Sequence, residues 1–189
     1  MLISSFYSDA FDGQFALRLK DSAKQLGFEC DLFKWPKGGA GTAQAMLRSR
    51  LLSRSLGEHR GEDILFVDPE AQLHRRPDVL LDEDDFDVGI YYDLQTLDIS
   101  GPIFLRNNAR TIQLVRDWQA LTLAEPDAGE LDTLSQILSR PSSPVQVRRL
   151  PVTYAWVERI HRDLHPSANP VIVHFKTDGL ISSRIRIPR

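Results

Sequence analysis

The stretch Ile64-Leu65-Phe66-Val67-Asp68-Pro69-Glu70 carries the clearest structural signal in the chain. Four consecutive apolar residues between acidic ones are typical of a strand covered on both faces, as in a parallel sheet. In open α/β sheets, ligands bind outside the carboxyl ends of the strands. Asp68 and Glu70 follow the strand directly, so we expect their carboxylates at that edge. Such oxygens suit Mg²⁺ or Mn²⁺, although a solvated turn would have the same sequence.

Strand and helix patterns alternate on both sides of this stretch. Toward the N-terminus, the patterns predict strands at 2–7 and 29–33 and helices over 15–26 and about 43–57. Toward the C-terminus, they predict strands at 88–92, 103–105, 145–150 and 171–175 and helices at 109–121 and 131–138. This alternation at short intervals predicts a layered α/β fold with a mostly parallel central sheet.

Length, composition and charge limit the class of protein. At 189 residues, the chain is expected to form one domain over 1–189, with 177–189 as a loosely attached basic tail. Hydrophobic residues make up 42% and charged residues 26%, which excludes a disordered or low-complexity chain. A net charge of −3 argues against a protein that mainly grips nucleic acid backbones, although nucleic acid stays open as an acceptor.

Cysteine usage and the first residues bear on the location of the protein. Cys30 is the only cysteine in the sequence, so no internal disulfide can form and a reducing compartment is expected. The N-terminal residues lack both a basic segment and an apolar run long enough for a signal peptide or a membrane span. We therefore expect a cytoplasmic protein without a membrane span.

Several short segments occur in the order found in one enzyme family. After 64–73 come a strand at 86–92, Ser100-Gly101 with the strand to 108, Trp118, Glu130-Leu131-Asp132-Thr133-Leu134, Leu150-Pro151-x-x-Tyr154 and the strand at 171–175. Together these segments resemble GT-A-type glycosyltransferases, which use nucleotide sugars and carry an Asp-x-Asp triplet after an apolar strand. The resemblance spans about 2–176. It implies a three-layer α/β/α fold and transfer of a sugar from a nucleotide-diphosphate donor to a hydroxyl acceptor.

The resemblance also implies a metal centre formed by Asp68, Glu70 and His174. These residues would hold Mn²⁺ or Mg²⁺ against the donor diphosphate, where a cation neutralises the charge that builds on the leaving group. Glu70 stands where the family usually has an aspartate, so this chain offers a longer side chain there. From the residues alone, His174 could also be a buried histidine that is hydrogen-bonded to the backbone at a strand end.

Further residues are implied around the nucleotide, the diphosphate and the sugar of the donor. They are Ser4, Ser5, Phe6 and Tyr7 at the end of the first strand, Arg48 and Lys176 toward the diphosphate, and Gly101 beside the sugar. Two of these residues have plainer readings. Arg48 could belong to a solvated helix face with other arginines, and Lys176 could be an ordinary exposed lysine.

Two acids are expected to face the acceptor. Glu130 matches the acidic helix start of the family, with Asp132 as a nearby substitute, and either carboxylate could take the proton from the attacking hydroxyl. A glutamate in the first turn of a helix also interacts favourably with the helix dipole without any catalytic role. Two other functions stay open: a non-catalytic nucleotide-sugar-binding module of the same fold, and a metal-dependent phosphate hydrolase that uses Asp68 and Glu70.

Overall fold

The strands and helices of the chain form two sheets with helices packed around them. The computed structural model describes residues 1–35, 46–93 and 98–175. The strands are β1 (Leu2–Tyr7), β2 (Cys30–Lys34), β3 (Ile64–Phe66), β4 (Ala71–Leu73), β5 (Val88–Tyr92), β6 (Ile99–Leu105), β7 (Val147–Arg149), β8 (Trp156–Val157) and β9 (Ile172–His174). The helices are α1 (Ala10–Gln25), α2 (Leu47–Glu58), α3 (Asp78–Asp82), α4 (Ala109–Ala124), α5 (Glu130–Leu138) and α6 (Glu158–Leu164), with a 3₁₀ turn at Val152–Tyr154.

The central sheet has six strands in the order β2-β1-β3-β6-β5-β7. Neighbouring strands are parallel except at β6, which is antiparallel to both β3 and β5. The short connection 93–98 joins β5 to β6, and short connections favour antiparallel pairs. The mostly parallel sheet predicted from the sequence is confirmed. The start of β6 therefore lies at the same edge of the sheet as the carboxyl ends of β1, β3 and β5.

A second sheet of three strands has the order β4-β9-β8. In it, β4 is antiparallel to β9, with Ala71 opposite His174, and β8 is parallel to β9, with Val157 opposite His174. The strand predicted over 171–175 lies in this small sheet. Strands β4 and β8 were not predicted, because strands of three and two residues are too short for apolar periodicity to be recognised.

Apolar side chains cover both faces of the central sheet. Helices α2, α4 and α5 pack on one face, with Leu52, Trp118 and Leu134 fully buried. Helix α1 and the small sheet contribute Leu19 and Ile172 to the core on the other face. This packing gives three layers, and Asp68 and Gly101 lie at the carboxyl edge of β3 in the central sheet. Among the helices of the described ranges, none is long and apolar enough to cross a membrane.

Candidate active site

Asp68 and Arg48 form an ion pair at the carboxyl end of β3. Asp68 follows the strand, is only 7% exposed, and accepts a hydrogen bond of 3.0 Å from Nη2 of Arg48 on the first turn of α2. Burial disfavours the charge on Arg48, but the nearby carboxylates of Asp68 and Glu130 outweigh it and raise the pKa of Arg48. Arg48 is therefore a cation held at the ligand-binding edge of the sheet.

Glu130 joins this pair through the start of α2. Its two carboxylate oxygens accept the backbone N–H groups of Arg48 at 3.1 Å and Ser49 at 2.8 Å, and Nη1 of Arg48 lies 3.9 Å from Oε2. Met46, the residue before α2, has no side-chain oxygen and makes no cap. Glu130 thus supplies the missing N-terminal cap from 82 residues away. Burial raises the pKa of Glu130, against the effect of these hydrogen bonds.

The backbone of Glu130 is held from the core. Its carbonyl oxygen accepts hydrogen bonds from Nε1 of Trp118 at 2.7 Å and from Oγ1 of Thr133 at 2.8 Å. Asp132, the other acid expected to face the acceptor, is exposed, and its Oδ2 accepts the backbone N–H of Gly129 at 3.2 Å. The structure therefore brings Glu130 to the Arg48 and Asp68 pair and leaves Asp132 in solvent at the start of α5.

His174 presents a free ring nitrogen within the same region. The residue is 3% exposed, and its Nε2 has no hydrogen-bond partner among the described residues. Burial lowers the pKa of His174, while the charge of Asp68 and a hydrogen bond from the ring to the backbone of Tyr154 act in the opposite direction. The ring is therefore neutral near pH 7, which is the form that ligates metals.

Gly101 borders that free nitrogen from β6. Its φ of +75° is one that other residues rarely adopt. A Cβ added there would lie 3.2 Å from Cβ of Ala155 and 3.6 Å from Nε2 of His174. Gly101 was expected to let the backbone approach the sugar. In the structure, the side on which a Cβ of residue 101 would stand faces Ala155 and His174. Residue 101 thus keeps side-chain atoms away from the ring.

The three predicted metal ligands share one neighbourhood. The charges of Asp68 and Glu70 both raise the pKa of Arg48, and the charge of Asp68 also favours the protonated form of His174 against burial. The backbone carbonyl of Glu70 accepts the N–H of Phe175 at 3.2 Å, which places Glu70 beside the end of β9. Within the described ranges, however, no three His, Cys, Asp or Glu side chains stand close enough together to hold a metal ion. The unpartnered Nε2 of His174 and the carboxylate of Asp68, whose charge acts on that ring, are nevertheless donors of the kinds that divalent cations accept.

The predicted nucleotide residues divide between the core and the strand end. Ser4 and Ser5 are fully buried, and Oγ of Ser4 lies 3.0 Å from Oγ of Ser55 in α2. Phe6 is half-buried and stacks on Phe66, while the half-buried ring of Tyr7 lies next to Gly13. Both serines are therefore covered by the surrounding protein, and Phe6 and Tyr7 are the partly exposed residues at this strand end.

Two predictions fall outside the described residues, and one contact was missed. Lys176 and the predicted basic tail over 177–189 lie outside the described ranges. The bonds from Ser49 and Arg48 to Glu130 were not anticipated from the sequence. No local pattern in the sequence signals this contact, because the helix predicted over about 43–57 places Met46 inside the helix, and only the structure shows Met46 as the residue before it.

The fold is similar to that of two solved glycosyltransferases. One is described as a glycosyltransferase involved in the glycosylation of the major capsid of PBCV-1; its TM-score is 0.72 at 13% identity, with 92% of this chain and 91% of that chain covered. The other is the glycosyltransferase GlyE of Streptococcus pneumoniae TIGR4, with a TM-score of 0.55 at 14% identity, covering 94% of this chain and 48% of that one. At these identities the likeness shows a shared fold alone. No curated protein matches the chain in sequence.

A protein-family model matches the sequence of this chain. The model described as nucleotide-diphospho-sugar transferase matches residues 63–179, which is more than half of the chain. The matched segment contains Asp68, Gly101, Glu130 and His174. This match supports sugar transfer in general and implies a nucleotide-sugar donor. The matched sequence and the architecture agree, and the chain belongs to the nucleotide-diphospho-sugar transferase family.

Proposed function

We propose that the protein transfers a sugar from a nucleotide-diphosphate donor to a hydroxyl acceptor, with the diphosphate bound beside Arg48 and Asp68. The observation that carries this proposal is the guanidinium of Arg48. Asp68 and Glu130 hold it at the carboxyl edge of the sheet, while 26% of the side chain stays exposed. A fixed, reachable guanidinium suits phosphate oxygens, because its N–H groups match their geometry.

Asp68, Glu70 and His174 are the residues that we propose as ligands of Mn²⁺ or Mg²⁺. The free Nε2 of His174 and the carboxylate of Asp68 next to it support this proposal. When bound, the cation supplies Lewis-acid stabilisation of the leaving diphosphate. Because residue 101 is a glycine, no Cβ stands beside Nε2, where one would lie 3.6 Å from this nitrogen.

The remaining predicted residues would hold the rest of the donor and the acceptor. Phe6 and Tyr7 offer aromatic surface for the nucleotide base at the end of β1, and Ser4 and Ser5, which are buried in the same strand, stay predicted nucleotide residues. Lys176 stays a predicted phosphate contact, and Asp132 stays a predicted acid on the acceptor side. The acceptor hydroxyl loses its proton as it attacks the sugar. An ionised carboxylate near that hydroxyl would accept this proton as the general base.

Donor turnover tests this function. A panel of nucleotide sugars is incubated with the protein and Mn²⁺ without an acceptor, and the release of nucleoside diphosphate is measured. We expect slow hydrolysis of one donor, abolished in Asp68→Ala. Asp78→Ala is the matched control, because Asp78 is an exposed aspartate in an ion pair with Arg76 and should leave turnover unchanged.

Two results would contradict the proposal, each in favour of a different function. Nucleotide that raises the melting temperature while no diphosphate is released from any donor would indicate a binding module of the same fold. Inorganic phosphate released from simple phosphate esters, and lost in Asp68→Ala, would indicate a metal-dependent phosphate hydrolase.

A further inference from the structure

The first turn of α2 is fixed by a carboxylate from a distant helix. Both oxygens of Glu130 bind backbone N–H groups of this turn, at 2.8 Å and 3.1 Å. The free N–H groups at a helix start form an anion site, and in this helix the protein's own carboxylate takes two of them. That position at the start of α2 is therefore closed to a phosphate of the donor.

Arg48 lies in the same turn, and hydrogen bonds connect Trp118, Glu130, Arg48 and Asp68 in series. Trp118 holds the backbone of Glu130, the carboxylate of Glu130 holds the backbone of Arg48, and the guanidinium of Arg48 binds Asp68. Each link is a hydrogen bond of 2.7 to 3.1 Å, and three of the four residues, Trp118, Glu130 and Asp68, are buried. Without the Glu130 link, Arg48 would still be held by its own helix, by Asp68 and by the ring of Phe66, whose centre lies 5.7 Å from Cζ of Arg48, but the start of α2 would lose its cap.

We propose that Glu130 is a positioning residue, which holds Arg48 in place for the donor diphosphate by capping α2. This inference rests on the proposed function and gives Glu130 a role different from that of an acid facing the acceptor. It follows from the engagement of both carboxylate oxygens by α2, because a carboxylate occupied in this way is poorly placed to take a proton from an acceptor hydroxyl.

The test uses Glu130→Gln, which keeps the shape of the side chain but turns an N–H donor toward one of the backbone N–H groups. Affinity for uridine, guanosine, adenosine and cytidine diphosphates with Mn²⁺ is measured by calorimetry. We expect roughly tenfold weaker binding of the preferred nucleotide, because a hydrogen bond to a charged group is lost. Glu58→Gln makes the same change at an exposed position on the same helix and should bind like the wild type.

A double-mutant cycle separates positioning from general damage. Arg48→Met weakens nucleotide binding, and Glu130→Gln should then weaken it no further, because its effect passes through Arg48. The acidic limb of the pH–rate profile for donor turnover should keep its midpoint in Glu130→Gln. A wild-type affinity in Glu130→Gln together with a lost acidic limb would overturn the inference and make Glu130 the base.

Two further controls keep the outcome clear. If Glu130→Gln fails to fold, Trp118→Phe removes the indole bond to the Glu130 carbonyl, together with part of a buried ring, and is used only where its unfolding shows a folded protein. This variant should show a weaker loss of nucleotide affinity, and an unchanged affinity would contradict the inference. Wild-type protein that binds none of the four nucleotides would instead overturn the proposed function itself, which distinguishes the two failures.

Discussion

Single residues decide how close the chain comes to the free nitrogen of His174. Gly101 combines a positive φ with crowded surroundings, because a Cβ there would lie 3.2 Å from Cβ of Ala155 and 3.6 Å from Nε2 of His174. Gly61 also has a positive φ, of +82°, but a Cβ there would meet nothing within 4 Å. A substitution at Gly61 therefore introduces backbone strain alone, whereas the same substitution at Gly101 introduces strain and crowding.

We predict that Gly101→Ala destabilises the protein more than Gly61→Ala does. An alanine at positive φ costs about 1 kcal/mol at either position. At Gly101, Cβ would also lie 3.2 Å from Ala155, which adds roughly 1 kcal/mol of overpacking. Urea unfolding of both variants gives the comparison, and equal losses would show that the space around Gly101 relaxes freely.

Elements of the central sheet are tied to their neighbours through buried polar groups. Asp87, which precedes β5 and is 1% exposed, accepts hydrogen bonds from Asn108 at 2.8 Å, Arg110 at 2.6 Å and the backbone of Gln146 at 2.8 Å. Asn108 also caps α4, so one carboxylate links β5, the start of α4 and the segment that leads into β7. Burial alone would raise the pKa of Asp87, but these hydrogen bonds outweigh it and lower the pKa.

This lowered pKa predicts how stability depends on pH. An aspartate whose pKa is lower in the folded state stabilises the protein fully above its unfolded value of about 4 and loses this contribution as the pH falls through the folded value. We expect Asp87→Asn to cost roughly 2 kcal/mol at pH 7, because buried charged hydrogen bonds are lost. The difference from wild type should shrink below about pH 4, as followed by urea unfolding, whereas a constant difference would show that the charge is irrelevant.

At the scale of the whole molecule, binding and folding are linked through the site. Asp68, Arg48 and His174 come from β3, α2 and β9, so a donor held by all three binds only the folded chain. Such a ligand stabilises the fold by mass action. The single domain over 1–189 and the cytoplasmic location stay predictions from the sequence.

We therefore predict that the preferred nucleoside diphosphate raises the melting temperature only when Mn²⁺ or Mg²⁺ is present. At a hundredfold excess over Kd, the stabilisation is about 2.7 kcal/mol, which corresponds to roughly 5 to 10 °C for a chain of this size. A chelator should remove the shift. Differential scanning fluorimetry gives the measurement, and a shift that survives the chelator would argue against Asp68, Glu70 and His174 as metal ligands.

Local patterns in the sequence were sufficient to predict most of the strands and helices of the central sheet and the sheet edge at which Asp68 lies. The apolar runs of β1, β3 and β5 predicted strands, and the run before Asp68 predicted an acid at the carboxyl edge of the sheet. These features depend on neighbouring residues, because strand and helix periodicity is repeated within a few positions. The order of short motifs then indicated the family that the sequence match shows.

Only the tertiary structure decided which residues far apart in the sequence contact each other. It placed Ser4 in the core against Ser55, formed a second sheet from strands of two and three residues, and brought Glu130 onto the start of α2. Each of these contacts depends on which elements pack together, and the cap of α2 joins residues 82 positions apart. A glutamate in the first turn of one helix looks the same in the sequence whether it faces a substrate or satisfies the backbone of another helix.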